Sequence, residues 1–183
     1  MSKIAIKGAT TGTGVFTLES PATNTDRTLV LPDEAGTVLT SASPTVLPKG
    51  VPTFSAYLAS SGGSIANATF TKLIFDTELW DTNSYFASSR FTPLVAGYYQ
   101  INAAYQWSSS SAGFITIMRN GSEYKRGEWS GSAQQDHACS GIVYCNGSSD
   151  YVEIYAYQTS GGNVTPQGGA NVSWFDGVLV RAD

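Results

Sequence analysis

The run Phe91–Trp107, FTPLVAGYYQINAAYQW, constrains the fold more than any other stretch of the chain. Pro93 fixes one backbone angle and Gly97 permits a sharp re-entry, so the run opens on a turn. It then alternates. Tyr99, Ile101, Ala103, Tyr105 and Trp107 fall on one side, and Gln100, Asn102 and Gln106 on the other. This is the period of a strand with one buried face and one wetter face. Such a strand cannot stand alone, so neighbouring runs must build the sheets that cover it.

The remaining composition agrees with that demand. A chain of 183 residues has room for one substantial domain and a small addition. Hydrophobic content of 42% is ample for a core, and only 13% of residues are charged. Low charge, many aromatics and Gly-marked turns favour an all-β domain, and no window sustains a helical apolar period. The net charge is −4 with ten Lys and Arg, and no basic patch interleaves with aromatics, which argues against nucleic-acid binding. No apolar run is long enough to span a bilayer, and MSKIAIKGATTG lacks the apolar core of an export signal. The expectation is a protein made in a cytoplasm and not inserted in a membrane.

Cys139 and Cys145 lie in HACSGIVYC. Six strand residues separate their Cα atoms by roughly 20 Å. A disulfide needs less than about 7 Å, so buried free thiols are expected. With His137 as the single histidine, a zinc site is not expected, and no cofactor is implied.

Along the chain, residues 1–40 read as short strands, IAIKG, GVFTLES, RTLVLP and TVLT, with PDEAG as the turn between the last two. Their apolar positions are too few to bury a core in one copy. Residues 41–52 form a linker in which Pro44, Pro48 and Pro52 favour extended chain. From Thr53 to Asp183 the pattern is continuous β. TFSAYLAS and TFTKLIFD read as strands, and ELWDTNSYFASS as irregular with a short strand near Ser84–Phe86. FITIMRN and GSEYKRGEW form a hairpin closed by Asn120-Gly121. DHACSGIVYC, DYVEIYAYQ and NVSWFDGVLVRA complete the set. Roughly ten short strands with regular turns indicate a sandwich or jelly roll.

Two resemblances follow. Thr23–Ser41, TNTDRTLVLPDEAGTVLTS, resembles a segment of bacteriophage tail-fibre and related virion proteins, in which a strand ending in Leu-Pro-Asp is followed by a small turn, Gly-Thr and an apolar strand. It implies that residues 1–40 attach to a virion, through Ile4, Ile6, Phe16, Leu29, Leu31, Val38 and Leu39. Residues 53–183 resemble the complement C1q globular-head family of tumour-necrosis-factor-like jelly rolls. Phe75-Asp76, Tyr85, Phe91-Thr92-Pro93 and Gly97-Tyr98-Tyr99 carry the likeness, with Arg119-Asn120-Gly121, Asp150-Tyr151-Val152 and Ser173-Trp174-Phe175 following in order. This implies an all-β, ten-strand jelly-roll sandwich that assembles as a homotrimer.

Composition gives the trimer a second reason. Tyr151, Tyr155 and Tyr157 stand opposite Val152 and Ile154, so this strand has aromatics on its outer face. A subunit interface is the preferred reading of those tyrosines, and a ligand-stacking platform the alternative. Asp76, Glu78, Asp81, Asp150 and Glu153 read as turn and strand-end carboxylates, ahead of a calcium site or a catalytic pair. Asp136 and His137 are adjacent on a strand and point to opposite faces, which suits no relay, and no Gly-x-Ser-x-Gly elbow is present. No enzymatic activity is expected.

The linker enters at the stalk end, and the resemblance returns the C-terminus there. Loops 108–112, 130–135 and 159–170 then lie at the apex, and Asn120-Gly121 and Asn146–Ser149 near the stalk. Polar loops beside tryptophans suit carbohydrate recognition, against the plainer reading of solvated loops. The candidate binding residues are Trp107, Ser109, Ser110, Trp129, Gln134, Gln135, Asn163 and Gln167. Loop 161–169 is expected to be removable without loss of the fold. The expected function is non-enzymatic adhesion by a trimeric phage fibre or spike to a host-surface glycan or protein. The alternatives are a capsid decoration or head-fibre protein without a ligand and, less favoured, a capsule depolymerase.

Overall fold

A computed structural model of the chain describes residues 51–109, 111–131 and 136–183, together with residues 11, 22, 24–26 and 28. The chain divides into two units, Met1–Ser41 and Ala42–Asp183, and the β-sandwich lies in the second. The attachment residues Ile4, Ile6, Phe16, Leu29, Leu31, Val38 and Leu39 lie outside the described residues, as do Pro44 and Pro48.

The described residues form eleven strands and no helix. They are β1 (Thr53–Tyr57), β2 (Thr71–Lys72), β3 (Thr77–Asp81), β4 (Phe86–Ala87), β5 (Arg90–Phe91), β6 (Ala96–Gln106), β7 (Gly113–Arg119), β8 (Ser122–Arg126), β9 (Asp136–Asn146), β10 (Val152–Gln158) and β11 (Trp174–Ala182). One sheet has the order β3-β1-β11-β6-β9; the other has β4-β5-β10-β7-β8, with β2 also pairing β10. All these pairings are antiparallel. The fold is a two-sheet jelly roll.

The alternating run becomes β6, flanked by β11 and β9 along its length. Tyr99, Ile101, Ala103, Tyr105 and Trp107 are all buried, and Val152, Ile154 and Ala156 of β10 are buried with them in one core cluster. Phe54 sits in that core, its ring stacked 4.9 Å from Phe86 and 4.5 Å from Phe91, with Phe175 edge-on at 4.8 Å. Gly177, opposite Phe54 in register, makes this possible, since a Cβ there would collide with the Phe54 ring. The Asn120-Gly121 turn has φ values of 52° and 77°, which is how a two-residue turn matches the twist of its strands. Cys139 and Cys145 are buried free thiols on β9, and burial pushes each up to about 12.

The sequence reading differs from the structure in two places: of TFTKLIFD only Thr71–Lys72 forms a strand, and the other difference lies at a sheet edge. Thr77–Asp81 is a regular strand, β3, paired with β1, where an irregular stretch was expected. Its inner residues Glu78, Leu79 and Trp80 are all exposed, so an edge strand of this kind lacks the alternation that betrays a half-buried one.

Strand register fixes the two ends. Pro52 O accepts from Leu179 N at 2.9 Å, and Asp183 N donates to Ala96 O at 3.0 Å. The chain therefore enters and leaves at one end of the sandwich. At the opposite end Trp174 pairs Ala104, and Asp136 pairs Gln106. Asn120, bonded through its N–H to Tyr151 O, and the turn at 146–149, bonded to Asp150, lie at the entry end.

Candidate functional site

The loops at the far end form a connected layer. Ser108 N donates to Thr165 O (2.7 Å), Gln167 N to Gln106 O (2.8 Å), and Thr159 N to Ala112 O (3.0 Å). Ser130 and Gly113 exchange backbone bonds at 2.8 and 3.2 Å. The sequence reading left one member out. The segment following β1 joins this layer through reciprocal bonds between Ile65 and Val164, through Asn67 Oδ1 accepting from Gly161 N (2.8 Å), and through Ser61 Oγ accepting from Gly168 N (3.0 Å). Its Gly-Gly-Ser composition reads as a plain loop, and only the long-range register reveals its neighbours.

Two of the expectations for this end are corrected. Trp107 is fully buried, its indole stacked on the His137 ring with centroids 3.6 Å apart, so it offers no face to a ligand. The alternation that placed it in line with Tyr105 was itself the signal for burial. Loop 159–170 is also not a removable tip. Val164 is buried, Trp107 bridges to Pro166, and Gly169 N bonds Leu58 O at 2.7 Å. Deleting 161–169 would remove part of the cap over the core; Ser160–Asn163 is the exposed portion.

The other candidate residues fall in different places. Ser109 and Asn163 are exposed, and Gln167 is half-buried beside Gln106. Ser110, Gln134 and Gln135 lie outside the described residues. Trp129 is 49% exposed and packs on Phe114 at 5.5 Å. It flanks a cleft of 480 Å³ lined also by Glu128, Ser130, Gly131, Asp136, His137 and Ala138. Ser130 Oγ lies 2.9 Å from His137 Nδ1, and Asp136 Oδ1 accepts from Gln106 Nε2 at 2.6 Å. Burial lowers His137 to about 4, against the opposing charge of Asp136, so the ring is neutral near pH 7. His137 Nε2 and Trp107 Nε1 are buried without a protein partner among the described residues. The cleft thus joins a half-exposed indole to two carboxylates above a neutral, buried ring pair.

The tyrosines expected at a subunit interface lie on the outer face of the six-stranded sheet, half-buried by their own chain. Tyr157 packs with Phe70 (5.3 Å) and Phe114 (5.6 Å). Tyr151 carries the Arg90 guanidinium 3.9 Å above its ring. Tyr155 OH lies 3.4 Å from Glu153 Oε2. The carboxylates weighed for chemistry, the exposed Glu78 apart, are engaged structurally. Asp76 Oδ1 accepts from Ala59 N (2.8 Å), and Asp81 from Asn83 N and Phe86 N (3.2 and 2.7 Å). Asp150 accepts from Arg119, Asn120 and Asn146 N, at 2.6, 2.6 and 2.9 Å.

A different surface lacks such partners. Outward from β6, β9 and β11 stand Tyr98, Ile142, Val178 and Val180, all exposed. They are neighbours, since Gln100 pairs both Ile142 and Val178, and Tyr98 pairs Tyr144 with rings 5.3 Å apart. Between them Gln100, Asn102 and Ser140 bond one another at 2.8–2.9 Å.

No family model matches the chain, and no curated protein matches it. Solved structures do. The globular domain of zebrafish complement 1qA protein is 18% identical, covers 73% of this chain and 100% of that one, and superposes with a TM-score of 0.50. Murine APRIL is 10% identical over 72% of this chain and 100% of that one, with a TM-score of 0.54. PRD1 vertex protein P5 is 13% identical over 72% of this chain and 74% of that one, with a TM-score of 0.52. The fold is that of the C1q and tumour-necrosis-factor-like jelly rolls.

Proposed function

We propose that the chain is a non-enzymatic bacteriophage virion protein whose jelly-roll head is carried as a homotrimer and adheres to a host-surface glycan or protein. The observation that carries this reading is the outward face of β11, β6 and β9. β6 has no charged residue, and exposed aromatic and aliphatic side chains adjoin along the three strands. A contiguous apolar face of this kind calls for cover by another protein surface. Copies of the same chain are the fitting occupant, because entry and exit at one end let several heads share this face with their stalks together and their loops displayed jointly. This face is preferred as the subunit contact over Tyr151, Tyr155 and Tyr157, whose rings their own chain already engages.

Attachment through residues 1–40 to tail, baseplate or capsid rests on the Thr23–Ser41 resemblance, and the likeness to a vertex protein supports a place on a virion. The loop end, with Trp129 beside Glu128 and Asp136, is the adhesive surface in this reading; three weak sites gain by avidity. The structural duties of Asp76, Asp81, Asp150 and Glu153 support a protein without acid–base catalysis.

Sedimentation velocity on the full chain tests the trimer, and competition of phage adsorption by the purified protein tests adhesion. The second reading, a decoration or head-fibre protein without a ligand, draws on the vertex-protein likeness. It predicts unchanged adsorption and a particle that loses heat stability when the protein is missing. Release of oligosaccharides from capsule would restore the depolymerase reading.

A further inference from the structure

We propose that the cleft beside β2, β5 and the β4–β5 turn is a receptor for a carboxylate, and that its ligand is a uronic-acid residue of an acidic polysaccharide. The cleft lies on the outer face of the six-stranded sheet, apart from the loop end and from the uncovered face. The proposal goes beyond the adhesion reading and does not depend on where the protein sits in a particle.

Two cations meet one buried carboxylate there. Lys72 Nζ and Arg90 Nε lie 2.6 and 2.8 Å from the same oxygen, Oε1 of Glu153. The Glu153 side chain is 2% exposed, against 28% for Lys72 and 44% for Arg90. One carboxylate balances one cation, so the cluster keeps a positive charge. The excess is local, because the chain as a whole has a net charge of −4 and only ten Lys and Arg. A structural ion pair needs a single cation; with Lys72 also tied to the Ser88 carbonyl, Arg90 is the surplus one.

Arg90 is also held as a receptor would hold it. Its Nε is tied to Glu153 and its guanidinium lies over Tyr151, with Cζ 3.9 Å from the ring centroid. Its Nη atoms bond no other protein group among the described residues. A guanidinium with one nitrogen anchored and an aromatic ring beneath it is pre-organised for the two oxygens of a carboxylate.

The cleft has a volume of 610 Å³, more than a bare ion fills, and Lys72, Arg90, Ser84, Tyr85, Thr92 and Leu94 line it. Hydroxyls beside an aromatic ring and an exposed leucine suit the mixed polar and apolar surface of a pyranose. A single surplus charge suits a carboxylate better than a phosphate dianion. The rim is held in a costly shape. Ser84, Ser88 and Ser89 have φ values of 57°, 51° and 58°, a left-handed region that residues other than glycine rarely adopt. Lys72 Nζ donates to Ser88 O at 2.9 Å, and Ser89 Oγ bonds both N and O of Phe75 at 2.8 and 3.2 Å. The lysine of the cation pair therefore also fixes the strained turn, and strain maintained in this way is characteristic of ligand sites.

The test is titration of the full chain with glucuronic acid, followed by NMR, with its neutral methyl ester and inorganic phosphate as the comparison probes. The expected result is binding of glucuronate and not of the ester. Arg90→Lys keeps the charge and loses the fork, and should weaken glucuronate roughly tenfold or more. Lys125→Gln, which removes an exposed cation of β8 outside the cleft, should leave it unchanged. If Arg90→Lys does not fold, Lys72→Gln provides the same reading. Silence with glucuronate, equal binding of the ester, equal binding of phosphate, or an affinity indifferent to both cleft variants would each overturn the proposal. None of these outcomes bears on trimer formation or on adsorption, so the two readings fail separately.

Discussion

On the outer face of the six-stranded sheet, charges are dense, and each carboxylate of its strands is paired, with one cation in surplus at Glu153. Lys72 and Arg90 meet Glu153, and Arg126 grips Glu123 through two bonds of 2.8 and 2.6 Å. On the outer face of β11, β6 and β9, the charged residues are reduced to Asp136, Asp176 and Arg181. Of these Asp176, in the middle of β11, has an oxygen that is buried and without a partner among the described residues. Both faces belong to one sandwich. The first has its carboxylates paired while facing water, with one cation in surplus at Glu153. The second has exposed apolar rows and a carboxylate with one unpartnered oxygen, which fits the proposed subunit contact.

The strongest way to break this comparison is to place a charge on the uncharged face. Ile142→Arg should leave the far-UV circular dichroism unchanged, because Ile142 points outward and is half-exposed. It should convert the trimer to monomer in sedimentation velocity, since an unpaired charge buried in a contact costs about 3–5 kcal/mol. Tyr155→Arg, on the opposite face, should leave the trimer intact. A trimer that survives the first change and dissolves with the second would return the subunit contact to the tyrosine stripe of β10.

The inner half of this comparison was legible in the sequence, and the outer half was not. Alternation in Phe91–Trp107 gave the buried set of β6 correctly, down to Trp107, because burial on one face leaves a period-two trace. The same trace should have removed Trp107 from the ligand-binding candidates. Asn120-Gly121 gave the hairpin because only a few residue types tolerate its backbone angles. What stands beside an outward side chain depends on register between strands distant in sequence, and one chain carries no local mark of it. Hence Tyr157 reads as a subunit-interface residue from sequence, although Phe70 and Phe114 pack on it within its own chain. Lys72 and Glu153, 81 residues apart, are joined by nothing a window could detect.

Acid sharpens the contrast in steps. His137 comes first. Burial holds its folded pKa at about 4, below the unfolded value of about 6.5. Its neutral form is the one the fold accepts, so stability falls as pH drops from about 6.5 to 4 and is level above that window. The expected loss is about 3 kcal/mol in urea unfolding, and His137→Phe, which keeps a ring against Trp107, should flatten that part of the profile. The two ion-paired buried carboxylates respond at lower pH. Burial pushes Glu153 and Asp150 up, but the bonds from Lys72 and Arg90 to the first, and from Asn120 and Arg119 to the second, outweigh it and hold both below the usual range. Their contributions are present above the ordinary carboxylate pKa and disappear as pH falls through the depressed values. Glu153→Gln at neutral pH should cost about 1–2 kcal/mol, limited by solvent around the partly exposed cations.

Asp176 should have the smallest effect and the opposite sign. Burial raises its pKa, and the Ser55 hydroxyl only partly offsets this. Its ionised form is thus the disfavoured one in the folded chain. Any stability it contributes is present below the unfolded pKa and is lost as pH rises through the folded value. Asp176→Asn removes the charge and should raise stability at neutral pH by about 1 kcal/mol, the scale of relieving one unsatisfied buried group. The measurement belongs in the Ile142→Arg background, where assembly cannot contribute to the unfolding midpoint. The gain should vanish at acid pH, where the aspartic acid is already neutral. A variant that gains nothing at neutral pH, or one whose advantage persists in acid, would mean that the carboxylate is already answered within its own chain. The uncharged face would then lack the feature that most clearly distinguishes it from the charged one.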